Sequence, residues 1–79
     1  MRAGELVLVE WLDSSLTTGW RQKSTSSNLS RCQSVGWIVR KDKDCLVVAP
    51  HVDGANDLIC GDMAIPLKVI VRTKVLKRA

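Results

Sequence analysis

The sequence predicts an all-β fold, a small barrel of five antiparallel strands. Three observations predict it. Five short runs rich in Val, Leu and Ile recur along the 79 residues, each too short for a helix. Clusters of Gly, Asn, Asp and Pro punctuate them. No segment sustains an apolar period of about 3.6 residues. A chain of this length makes one domain. Five short strands close best as a barrel, which removes most exposed edges.

The elements follow in order. "ELVLVEW" (5–11) is the first strand, apolar on both faces. Residues 12–31, "LDSSLTTGWRQKSTSSNLSR", are dense in Ser and Thr and form a long loop, with one helical turn around 24–30. Loops of this length are uncommon in compact domains and are often functional. "CQSVGWIVRK" (32–41) is the second strand. Val35, Trp37 and Val39 share one of its faces, and Gly36 marks a bend or a close approach. "DKD" (42–44) is a turn, and "CLVVAPHV" (45–52) is the third strand, with Pro50 near its end. "DGAND" (53–57) carries strong turn signals. "LICGDMAI" (58–65) is the fourth strand, "PLK" makes one short turn, and "VIVRTKVL" (69–76) is the last strand. The expected core is Val7, Val9, Val35, Trp37, Val39, Val47, Ile59 and Ile65.

Charge is unevenly placed. The net charge is +4, yet Lys68, Arg72, Lys74, Lys77 and Arg78 all lie near the C-terminal end, and no acid follows Asp62. Two readings are open. A charged edge strand resists edge-to-edge aggregation. Alternatively, Lys68, Arg72 and Lys74 contact phosphate or nucleic acid.

Cys32, Cys45 and Cys60 are odd in number, widely spaced and without a C-x-x-C. That pattern argues against a disulfide framework or a zinc site. Each lies in or beside an apolar run and reads as a small buried thiol in a reducing compartment. No metal or other cofactor is expected. A core this small needs a staple, and self-association is the one left over, so a homo-oligomer is expected. "MRAGELVLVEW" shows no secretory signal, and no stretch approaches the roughly 18 apolar residues of a membrane span. The expected location is cytoplasmic, without membrane contact.

Catalysis is poorly supplied. His51 is the only histidine, and no P-loop, G-x-S-x-G or H-x-x-x-H is present. Cys45 and His51 share a strand face about 20 Å apart, while Cys60 faces His51 across a hairpin in some registers. No enzymatic activity is expected. Trp11, Trp20 and Trp37 are the whole aromatic content. Trp37 reads as the core aromatic and Trp11 as half core. Trp20, in a Ser/Thr loop with Arg21 beside it, is either a lid over the barrel end or a stacking platform with a phosphate-pairing fork. Asp13 and Ser14 either bond their own backbone at the strand exit or accept from a ligand, and Asp62 raises the same choice.

The order of strand, long loop, three strands with short turns, one helical turn and a last strand resembles an SH3-like barrel. "MAIPLKVI" is similar to the Ile-Pro segment by which SH3 domains enter a one-turn helix before their final strand. The chain lacks their Tyr-rich first strand and acidic loop, so proline-rich peptides are not the expected ligands. "VEWLDS", "GW", "SVGWIV" and "GDMAIP", in this order, resemble small proteins encoded by bacteriophages. That resemblance implies a host-directed accessory protein, of the kind that blocks an antiviral system by sequestering a nucleotide signal. The leading expectation is a non-enzymatic homo-oligomer that binds a small nucleotide-type ligand through Trp11, Asp13, Ser14, Trp20, Arg21, His51 and Asp62. The alternatives are a nucleic-acid binder using the basic last strand and a protein-interaction module that inhibits a host protein.

Overall fold

A computed structural model describes residues 1–79. Five strands form one antiparallel sheet: β1 (Leu6–Asp13), β2 (Ser30–Lys41), β3 (Cys45–Ala49), β6 (Met63–Pro66) and β7 (Ile70–Lys77). Their order is β6-β3-β2-β1-β7. Two short strands, β4 (His51–Asp53) and β5 (Leu58–Cys60), pair apart as a hairpin. Single 3-10 turns occupy Lys23–Thr25 and Leu67–Val69. The fold is all-β, as expected. The expected closed barrel is not formed, because β6 and β7 end the sheet as its two edges.

Two long hairpins make up most of the chain. The first is β1 with β2, in register from Leu6↔Trp37 to Asp13↔Ser30. The second begins as β3 with β6, from Cys45↔Pro66 to Val48↔Met63, and resumes in the same register as His51↔Cys60 through Asp53↔Leu58. The interruption falls where Pro50 stands opposite Gly61. Pro50 has no N–H to give to a ladder. Gly61 holds φ at +75°, and a Cβ there would come within 3.1 Å of the Pro50 ring. A kink on both strands at one level separates the distal hairpin from the sheet. The third and fourth strands expected from the sequence therefore each divide in two.

The core lies on one face. Val7, Val9, Ile38, Leu46, Val48 and Ile65 are its buried members, and Trp11, Met63, Leu67, Val69 and Ile70 pack against them. Val47 is also buried. The expected core was wrong on β2, where Ile38 is buried and Val35, at 50% exposure, is not. Trp37 and Val39 are half-buried on the outer face rather than in the core. The reason is at Gly36, which stands opposite Val7. A Cβ there would come within 3.0 Å of the Ala49 carbonyl oxygen, so the close approach expected at this glycine is real and the inner face is the one it lies on. "SVGWIV" is apolar on both faces, and a one-residue change of phase exchanges them. Ile59 is also outside the core, because it belongs to the projecting hairpin, where every residue from Pro50 to Asp62 is exposed. Cys60 is exposed for the same reason, and Cys32 and Cys45 are only half-buried, so the thiols are less enclosed than expected.

Across the outer face, Glu10 is 5% exposed between its ladder partners Gln33 and Arg72. Its Oε1 accepts from Gln33 Nε2 at 2.9 Å and Arg72 Nη2 at 3.0 Å, and its Oε2 accepts from Arg72 Nε at 2.9 Å. A carboxylate shielded this far from water needs such partners. The Arg72 and Gln33 hydrogen bonds hold the Glu10 carboxyl below its ordinary range.

Candidate functional site

The sheet carries an excursion at each end. Residues 14–29 leave from the Asp13↔Ser30 end of β1 and β2. They continue the hairpin outward as a narrow arm. The Ser15 hydroxyl donates to the Asn28 carbonyl, in step with the strands behind it, and Ser27 donates to Thr17 Oγ1 at 2.8 Å, one residue out of that register. Ser and Thr side chains replace the backbone ladder here, which explains why a segment this polar keeps a shape. At the tip, Arg21 donates through Nη2 to the Thr25 carbonyl, and Thr25 Oγ1 bonds the Gln22 carbonyl at 2.9 Å. Trp20 is fully exposed there, which excludes the lid over the barrel end. The helical turn expected at 24–30 is a 3-10 turn at Lys23–Thr25, adjoining this tip.

The other expected ligand residues do not gather around Trp20. Trp11 faces the core, and its indole N–H donates to Ser34 Oγ at 3.0 Å. Asp13 ends β1 and accepts from the Ser14 amide at 2.8 Å, the local turn bond of a strand exit. His51 and Asp62 lie beyond the opposite end of the sheet, where Leu6 pairs with Trp37 and Trp37 with Ala49. The seven residues of rise along β1 separate the ends by about 23 Å. One chain therefore does not bring the whole set into one site. His51 does stand opposite Cys60, the register left open by the sequence, and both are exposed.

The basic candidates divide in a similar way. The Arg72 guanidinium is committed to Glu10 in a bidentate pair. Lys74 stands opposite Leu8, and Lys77 lies over the Trp37 ring at 5.9 Å from its centroid. Lys68 sits in the 3-10 turn before β7.

Two shallow depressions exist, of about 300 and 280 Å³, and both include hairpin residues. The first is the concave face of the hairpin itself. The second is a groove between hairpin and sheet, where Val52 and Ile59 face Trp37 and Val39, with Asp57 at its rim. Val52 and Ile59 are ladder partners, so they share a face. Sequence reasoning missed this groove because it assigned Ile59, Trp37 and Val39 to the core. The signal that finds it is the Pro50–Gly61 pairing, which turns the hairpin out.

No family model matches the chain, and no curated protein or solved structure is significantly similar to it. No helix is long and apolar enough to cross a membrane.

Proposed function

We propose that the chain is a non-enzymatic binding module that works through the tip of its arm, with a protein surface as its primary partner. One observation carries this: Trp20 is fully exposed at the end of a hydrogen-bonded arm, with Arg21 beside it. Trp and Arg are the residue types most enriched at the energetic centres of protein interfaces. A projecting tip is suited to entering a cavity on a partner. The resemblance to small bacteriophage-encoded proteins makes a host protein the expected partner class. The order β7-β1-β2-β3-β6, with a 3-10 turn before the last strand, supports an SH3-like, open-barrel scaffold behind the arm. The test is a photoreactive residue at position 20 in producing cells. A discrete protein adduct at position 20, absent at position 71, is the expected result. No adduct at position 20 would sink the proposal.

A second reading rests on the exposed Trp20 indole with Arg21 beside it, a face on which a base can stack. If these residues share a nucleotide-type ligand with His51 and Asp62, they do so between copies in a homo-oligomer. Stacking on Trp20 is worth about 1–3 kcal/mol per base. Titration with mononucleotides and cyclic dinucleotides should then quench Trp emission, and Trp20→Ala should remove the quench. Unchanged emission across the panel eliminates this reading.

A further inference from the structure

We propose that the arm tip of one copy seats in the groove at the opposite end of a second copy, so that the protein associates head to tail. The inference rests on the arm-tip reading above and names a partner for that tip.

Three observations carry it. The first is shape. The chain has a projecting indole at one end and an unfilled apolar groove at the other, on a body measuring 53 × 22 × 22 Å. A groove of about 280 Å³ has room for one large side chain. The second is charge. The arm, 14–29, carries Arg21 and Lys23 and no acid. The hairpin, 51–62, carries Asp53, Asp57 and Asp62 and no Lys or Arg, with Asp57 on the groove itself, while Lys77 of β7 lies over the Trp37 ring on the groove's sheet side. Opposite charge across an interface fixes orientation and speeds encounter. Arm against arm, or hairpin against hairpin, sets like charges together.

The third is area. The chain exposes 6113 Å². A compact chain of this mass exposes about 4,700 Å², so the surplus is about 1,400 Å². A standard interface covers about 800 Å² on each partner. The surplus belongs to an elongated body whose two ends project, so each end has surface to offer a second copy. One register of edge pairing is disfavoured, since an antiparallel β7–β7 pair centred on Thr73 would set Arg72 against Lys74.

A contact between two different patches is heterologous. It leaves a free tip and a free groove on every dimer, and it closes only as a ring. Complementation of variants separates this arrangement from a symmetric one. Trp20→Ala lacks the tip and keeps the groove, while Ile59→Asp lacks the groove and keeps the tip. Sedimentation velocity of the wild-type chain from micromolar to about 200 μM should show species larger than 8.7 kDa. Each variant alone should stay monomeric over that range, and circular dichroism should show both folded. Their equimolar mixture should yield a dimer and nothing larger. A wild-type chain that remains monomeric overturns the proposal, as does self-association by either variant or a mixture that remains monomeric. A monomeric wild type that still gives an adduct to a different protein at position 20 refutes self-docking and leaves the arm-tip reading intact. Absence of both refutes the two together.

Discussion

Leu46 and Trp20 mark the two extremes of what a single side chain contributes here. Leu46 is wholly buried between β2 and β6, opposite Lys41 and Ile65. Leu46→Ala should cost about 2–5 kcal/mol through lost transfer energy and a residual cavity. Small-domain stability totals about 5–15 kcal/mol, so the variant should be partly unfolded, as read by urea denaturation. In dilute protein, below the range of self-association, Trp20→Ala should leave the urea midpoint unchanged, because the indole is fully exposed. Gly36 is the third residue of this scale. Gly36→Ala should destabilise by roughly 1–3 kcal/mol, since its methyl must displace the backbone of Ala49. A midpoint equal to wild type would show that β3 moves aside freely.

The elements are held partly by carboxylates that bond their surroundings. Glu10 joins β1 to β2 and β7, and its pKa is lowered first by the Arg72 hydrogen bond and then by Gln33. Asp42 closes the turn before β3, and the amides of Asp44 and Cys45 lower its pKa. Asp53 caps the distal turn, where the Asn56 side chain and then its amide do the same. Each group takes up a proton in the unfolded chain at a higher pH than in the folded one. Their stabilisation is complete above the unfolded values, about 4. It is lost as pH falls through the lower folded values. The urea midpoint should hold between pH 7 and 5 and drop below 4, with a shallower drop in Glu10→Gln. An identical drop in that variant would remove Glu10 from the account. Strand existence was legible in the sequence because β-branched runs and turn residues alternate so regularly. Strand phase was not legible on β2, where both faces read as apolar and only the contact of Gly36 with Ala49 decides. The arm was legible as a loop, but not as a continuation of β1 and β2. Side-chain hydrogen bonds between Ser and Thr have no periodic signature.

For the whole molecule, shape is the property least visible in composition. The radius of gyration is 15.6 Å, whereas a compact chain of this length has about 12 Å. Small-angle scattering from dilute protein should return a value near 15–16 Å for the monomer, with a rod-like distance distribution. A value near 12 Å would mean that arm and hairpin fold back in solution. The expected need for a partner was read from size alone. Head-to-tail association would place that partner at the two ends of the rod.

The pairing of β1 with β7 also orders events during synthesis. The β1–β2 hairpin is local and can form as soon as residue 41 has left the ribosome. Until β7 follows, one edge of β1 stays unpaired, and Glu10 has Gln33 beside it but not the Arg72 guanidinium. A cation on β7 therefore neutralises a charge laid down 62 residues earlier. A chain stalled before residue 72 would present an open strand edge and an uncompensated carboxylate together. Unpaired strand edges invite pairing with other chains, and the arrival of β7 with Arg72 closes this edge of β1.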